Sequence, residues 1–452
     1  MTETWNPGIP LITNQVAADI LDIEENFDYL MAMGGYWVDY SEADQGAAGS
    51  GNSVKDLVDA IGTTKSATLF FKHNAADGST TTYSFGTSET IPSNINIIIQ
   101  NGAILALATG ITLTMNTPQA GLYQIFSLTG TGIPAFGAGG RVYPEWFGEN
   151  TIPGTTDMTA EIQAAIDSIT AGEVCFNGET YLISSPLVPE SYVNLVGTGG
   201  SIIKLAASAD DDMVDFTGTD TDVLIENLIW DGNGSNNTRG GGVNIINATT
   251  QVKRLTITKC KFLNSCYNSI RLNDSLAHED IIITDNKFYD YDATAVQIYN
   301  TDGGVISNNI FDNTGLAAMT AGGNGIQIID ATDFTIANNT IDMDSSALAA
   351  AFGIETGSGS DNCTITGNTI QCNSGAFNGG ISVAMGGGTG SDNTTISGNS
   401  VYQAGKVAAI EVSGALNGAS VTGNTIDGTA NGITSIAVTN DNAYVSVTGN
   451  VI

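Results

Sequence analysis

Positive charge is what this chain has least of: 13 Lys and Arg stand against 47 Asp and Glu, a formal net charge of -34. A field that negative repels phosphate backbones and anionic headgroups, so nucleic acid is not an expected partner. It also weighs against an unaided grip on a polyanionic glycan and leaves a neutral or weakly charged polymer as the easier ligand, while serving solubility. Long apolar runs are missing too. None reaches the ~18 residues of a membrane span, and Met1 to Pro10 (MTETWNPGIP) has neither the basic nor the apolar region of a secretory signal. No membrane insertion is therefore expected. Cys175, Cys260, Cys266, Cys363 and Cys372 are odd in number and follow no zinc-ligand spacing, so they read as reduced, mostly buried small residues. His73 and His278 stand alone, and no Ser/His/Asp arrangement is recognisable. No metal or other cofactor is expected.

What is plentiful is glycine, 55 residues against 9 prolines, together with Asn, Thr, Ser, Ile and Val. That mixture suits short strands joined by tight turns. Residues 1–45 read as a helical segment, because Val16, Ile20, Ile23, Phe27 and Leu30 recur at heptad spacing. Its narrow apolar seam either self-associates or docks on the chain's own body. Residues 46–150 read as a β-rich domain leading into a solenoid, with Thr90 to Met115 broken at Asn101-Gly102 and Gly110. Within 151–452, Asp157 to Ile169 (DMTAEIQAAIDSI) is a helix with Ile162, Ala165, Ile166 and Ile169 on one face. It is placed to cap the open end of the first coil.

The rest of 151–452 repeats. Aligned on one pattern it reads VLIENLIW, LTITKCKFL, IIITDNKFY, GVISNNIFD, FTIANNTID, CTITGNTIQ, TTISGNSVY, ASVTGNTID and VSVTGNVI. The anchors are Asn227, Cys260, Asn286, Asn309, Asn339, Asn368, Asn399, Asn424 and Asn450, 23 to 33 residues apart. Strands too short to bury a face alone, repeating at that period, define an all-β fold: a right-handed parallel β-helix with a short N-terminal helix and a capping helix. Coils stacked at the ~4.8 Å strand spacing let asparagine amides bond from one coil to the next. Cys260 should leave a local defect in that ladder.

Between anchors falls a second pattern: GVNI, SIRL, AVQI, GIQI, GIET, GISV, AIEV and SIAV. The apolar residues point inward and the third residue outward. Asn244, Arg271, Gln297, Gln327, Glu355, Ser382, Glu411 and Ala437 then line the floor of a trough whose small first residues leave room for an extended polymer.

Glu355 and Glu411 are the floor's two carboxylates, about 2 × 4.8 Å apart along the stack. Inverting glycosidases hold an acid and a water-activating base ~6.5 to 9.5 Å apart, so the pair is the catalytic candidate; otherwise it is two solvated glutamates. Arg271, Gln297, Gln327 and Tyr299 are candidate substrate-binding residues, Arg271 for a sugar carboxylate or hydroxyl unless it pairs with Asp274 or Glu279. Asp290 and Asp292 sit in the loop before Gln297, where they overhang the trough or serve the turn. Trp230 is a further candidate for stacking on a sugar ring. Asp312, Asp342 and Asp427 form another column, read as a solvated outer wall.

Val142 to Phe147 (VYPEWF), followed by DMTAEIQAAID and by Glu173 to Ile183 (EVCFNGETYLI), resemble the pectate-lyase-like right-handed parallel β-helix superfamily, especially the tailspikes and tail fibres of bacterial viruses. The likeness covers roughly residues 85 to 452. A Gly-Asp-Gly stretch of that family is replaced here by Asn150 to Thr156 (NTIPGTT). The resemblance implies a groove on the strand carrying Glu355 and Glu411. It further implies a homotrimer whose N-terminal segment attaches to virion tail or baseplate proteins, made in the host cytoplasm and binding, with or without depolymerising, a host cell-surface polysaccharide. A non-catalytic adhesin or structural virion spike and a free polysaccharide hydrolase or lyase are the alternatives. Scarce Lys and Arg count against a lyase.

Overall fold

Alternating apolar and polar residues make short parallel strands in both compact units of the chain, Met1–Glu149 and Asn150–Ile452. The computed structural model describes residues 34–38, 53–73, 79–137, 139–273, 277–315, 323–343, 352–357, 359–372, 379–383, 391–403, 408–413, 417–427, 434–439 and 443–452. The heptad seam, Val16 to Leu30, lies outside them.

In the first unit Ala67–Phe71 pairs with Ile95–Ile99, Thr81–Phe85 with Ala103–Leu107, and Glu89–Thr90 with Thr112–Met115, all parallel. Each circuit of chain adds one strand to each of three sheets, so this unit is itself a short three-sided solenoid. A helix at Val54–Ile61 was not anticipated in this β-rich stretch. Ser53 caps it by accepting the Asp56 backbone N–H at 3.1 Å, and Val54, Leu57, Val58 and Ile61 are buried. The VYPEWF element is a packing device: Trp146 is buried and donates Nε1–H to the Gly121 carbonyl at 2.9 Å, while Phe147 stacks on Phe126 at 5.4 Å.

The second unit is a parallel β-helix. Strands that follow the asparagine turn form a ten-stranded sheet from Thr180–Ile183 to Thr425–Asp427; the remaining strands form the larger sheet. Thr159–Asp167 is the helix expected near 157–169. Asp157 Oδ1 accepts the Thr159 backbone N–H at 3.0 Å, Ile162, Ala165 and Ile166 are buried, and Met158 N–H bonds Leu182 O at 2.8 Å, which ties the helix to the first coil.

The ladder runs unbroken from Asn286 to Asn450. Asn368 illustrates each rung: its Oδ1 accepts from Asn339 N and Nδ2 at 2.9 and 3.0 Å, and its Nδ2 donates to Ile336 O and to Asn399 Oδ1 at 2.9 and 3.0 Å. The residue before each anchor has left-handed φ, from Asn338 (55°) to Gly367 (66°), so the chain reverses in one residue between strands. Register corrects one anchor. Leu224–Glu226 pairs with Thr256–Thr258 and Ile229–Asp231 with Lys261–Leu263, so Leu228 lies opposite Cys260 and Asn227 occupies the left-handed position. Cys260 is the expected defect: its backbone N–H reaches Asn286 Oδ1 at 2.9 Å, and its thiol, 3.6 Å from Ile225 O, stands where the later rungs place a paired amide. Four of the cysteines are buried and form no disulfide among the described residues, with burial pushing the Cys260 and Cys363 thiols up to about 12; Cys372's side chain is outside the described set. Inside the coils Phe262, Phe288 and Phe311 stack at 4.8 and 4.7 Å.

Candidate functional site

Strand pairing aligns one outward residue per coil into a single column. Arg271 faces Gln297, Gln297 faces Gln327, Gln327 faces Glu355, Glu355 faces Ser382, Ser382 faces Glu411 and Glu411 faces Ala437. The alignment read from the GIxV pattern therefore holds as a column from Arg271 onward. Above it the register differs from the expected one: Asn247, not Asn244, faces Arg271, and Asp215 faces Asn247. Asn244 instead starts a second, shorter polar row three residues upstream of the column, with Asn268, Thr294 and Asn324. Thr294 N–H donates to Asn268 Oδ1 at 3.0 Å, and Asn324 N–H to Thr294 Oγ1 at 3.2 Å.

The small first residues do not face the trough. An added Cβ at Gly353 would meet Ile370 Cγ2 at 2.5 Å, and one at Gly380 would meet Val401 Cγ1 at 2.4 Å, both core side chains of the ten-stranded sheet. A side chain at this position would point inward, so the opposite wall keeps the residue small. Trp230 also points inward: it is fully buried, in register with Ile203 and Phe262, and offers no ring to a ligand.

Along the column the amides form a one-way chain. Asn268 Nδ2 donates to Gln297 Oε1 at 3.0 Å, Gln297 Nε2 to Gln327 Oε1 at 2.6 Å, and Gln327 Nε2 to Glu355 Oε2 at 2.7 Å. Asn324 Nδ2 reaches the same Oε2 at 2.6 Å. Glu355 exposes only 5% of its surface. Burial raises its pKa, the two amide bonds oppose that rise, and the charge of Glu411 adds to it. Glu411 is less enclosed; burial raises its pKa as well, against a hydrogen bond from Ser382. Neither glutamate is freely solvated. Asn268 and Asn324, which orient the acid and the amides, were not singled out from sequence, although each lies three residues before a column position.

Arg271 is half-buried with its Nε sealed from solvent and unbonded. Glu279, one partner considered for it, is taken by Lys253 at 2.6 Å; Asp274 lies outside the described residues. Tyr299 stands two residues after Gln297 on the same face, opposite Ile329. Asp292 is fully buried, its Oδ1 3.9 Å from Arg239 Nη1, so it is enclosed and does not overhang the trough. Asp290 is half-buried; burial raises its pKa, with the charge of Asp312 adding and Arg239 opposing. Tyr289, Asp312, Asp342, Gln371, Tyr402 and Asp427 do form a column in register, which is not solvated throughout. Among the described residues no helix is long and apolar enough to cross a membrane.

Residues 214–401, less than half of the chain, match the family model of the right-handed β-helix region. No curated protein sequence matches. Among solved structures the chain is similar to the A-module of the mannuronan C-5 epimerase AlgE4 of Azotobacter vinelandii, with 17% identity over 69% of this chain and 96% of that one and a TM-score of 0.45. It is also similar to a tailspike variant of the E. coli bacteriophage HK620 solved with a pentasaccharide (15% identity, 69% and 65% covered, TM-score 0.46). A third is an exopolygalacturonase of Thermotoga maritima (12%, 68% and 91%, 0.42). Period, all-parallel pairing, asparagine ladder and family match agree: this is a right-handed parallel β-helix protein.

Proposed function

We propose that this chain is a virion tailspike or tail-fibre protein that binds a host surface polysaccharide along the Asp215 to Glu411 column and hydrolyses it between Glu355 and Glu411. The observation that carries the reading is the column itself: consecutive coils present one outward polar side chain each, at the repeat of an extended polymer, ending on two carboxylates whose proton affinity is raised. The attachment to a tail or baseplate, the trimer and the host-surface location rest on the sequence resemblance of residues 142–183 and on the heptad seam.

The chemistry needs only these two acids. Glu355, whose Oε2 is held by two amide donors, suits the base: it takes a proton from water as the water oxygen attacks the anomeric carbon. Glu411, more open and with its pKa raised, suits the acid that gives its proton to the departing glycosidic oxygen. Gln297, Gln327 and Tyr299 would hold sugar hydroxyls and rings along the way. Capsule and lipopolysaccharide from candidate hosts, incubated with the full chain, should be retained and should show new reducing ends. Glu355→Gln and Glu411→Gln should each retain the glycan and lose the reducing ends. Binding without cleavage by the wild type would make the protein an adhesin; cleavage unchanged in both variants would remove the assigned pair.

A further inference from the structure

We propose that Arg271, with Asn247 beside it, is a subsite for a sugar carboxylate, and that the polysaccharide taken by the column is sparsely acidic, with one uronate-like sugar among neutral ones. The proposal rests on reading the column as a glycan site and names the class of glycan.

The chain has 47 acids, yet among the described residues this arginine pairs with none. Arg239 lies against Asp292 at 3.9 Å, and Arg254 grips Asp222 at 2.7 Å. Arg271 has no ion pair and no hydrogen bond among the described residues, and its Nε–H is buried. A buried donor is normally satisfied, and a guanidinium is a planar fork matched to a two-oxygen anion. Its neighbours explain why the protein does not fill the place. Gln297 has its oxygen occupied by Asn268 and its N–H turned to Gln327. On the other side Asn247 is 6% exposed and donates to Asp212 at 2.8 Å, which leaves its own Oδ1 buried and unpaired. One coil thus offers an unfilled cationic donor and the next an unfilled acceptor. A sugar carboxylate seated on the half-buried guanidinium supplies the anion that this arginine lacks.

Charge sets the density of acid on the polymer. Glu355 and Glu411 lie three and five coils beyond Arg271, roughly 14 and 24 Å at ~4.8 Å per coil. A polymer charged on every sugar would bring carboxylates against both glutamates, whereas a single acid per repeat is accepted at Arg271 alone. The overall charge of -34 likewise favours a monoanionic carboxylate over a dianionic phosphate.

The test is a titration of the full chain with sodium glucuronate, methyl glucuronate ester, glucose and glucose 6-phosphate, following the arginine Nε–H signals by NMR and assigning Arg271 by its loss in Arg271→Gln. Glucuronate should move that signal saturably, the ester and glucose should not, and the phosphate should bind more weakly. Arg271→Lys, which keeps the charge and loses the fork, should bind glucuronate roughly tenfold more weakly. No saturable shift, an equal shift with the ester, or tighter phosphate binding overturns the subsite. Retention of host polysaccharide separates the two claims. Retention that is unchanged in Arg271→Gln overturns the subsite and leaves the glycan reading standing; a glucuronate-specific shift with no polysaccharide retained upholds the subsite and overturns that reading.

Discussion

The coils up to residue 272 and those after it are held together differently. In the earlier coils the anchor positions are Ser201, Leu228 and Cys260, and neighbouring coils are bridged at the surface by Arg254–Asp222 and Lys259–Glu226, with Lys253–Glu279 joining the last of them to the coil that follows. In the later coils the anchors are asparagines with paired amides, and only Lys287 and Lys406 follow Glu279 in the sequence. Buried amides in a dry interior bond coil to coil without net charge; exposed ion pairs do the same job at a strength that salt reduces. The scarcity of Lys and Arg noted at the outset thus has a structural counterpart: where the ladder is complete, stacking does not call on cations.

The contrast can be broken most directly at Asn368. Asn368→Ala strands the Asn339 amide donors and the Ile336 carbonyl in the core, and should lower stability by roughly 2 to 4 kcal/mol in chemical denaturation. A loss below about 1 kcal/mol would mean that the ladder adds little beyond strand pairing. Acid should act on the earlier coils through Asp212, whose pKa is raised from 3.8 to about 6, chiefly by burial. A raised folded pKa means the folded state holds the proton more tightly than the unfolded chain. Its stabilising share is therefore complete below 3.8 and disappears as pH climbs through about 6. The melting midpoint of the wild type should rise more between pH 7 and pH 4 than that of Asp212→Ala; parallel curves would refute the assignment. Cys260→Asn should extend the ladder by one rung and add about 1 kcal/mol, and a destabilised variant would show that the space beside Trp230 and Leu228 admits only sulfur. The smallest effect belongs to Arg254→Ala, a slight fall in melting midpoint at low salt that vanishes near about 0.5 M.

The period, the parallel coils and the column from Arg271 to Ala437 were legible because each depends on a residue type recurring at one place in the coil. What misled was local chemistry that imitates the repeat. Asn227 resembles an anchor because the left-handed position before the true anchor also favours asparagine, and Asn244 resembles a floor residue because the inner row uses the same amide three residues upstream. The small residues were placed on the wrong side because strict alternation does not hold at Gly353, where a Cβ would meet the core side chain of Ile370. Helix Val54–Ile61 had a visible cap in Ser53 and a visible stripe in Val54, Leu57, Val58 and Ile61. The burial of Glu355 was not legible at all, since it follows from the Asn324 and Gln327 amides of the adjoining coil that close on its carboxylate.

The asparagine rungs also act as a proofreader. The stretch from one anchor to the next ranges from 23 residues to 31 within the unbroken ladder, so whatever lies between rungs is free to lengthen or shorten. A coil that slips by a single residue, however, presents the wrong side chain to the rungs above and below, and every amide there loses its partner at once. Mistakes in assembly are thereby rejected wholesale while loops are left open to change, which gives a coiled protein a way to alter its surface without renegotiating how its coils stack.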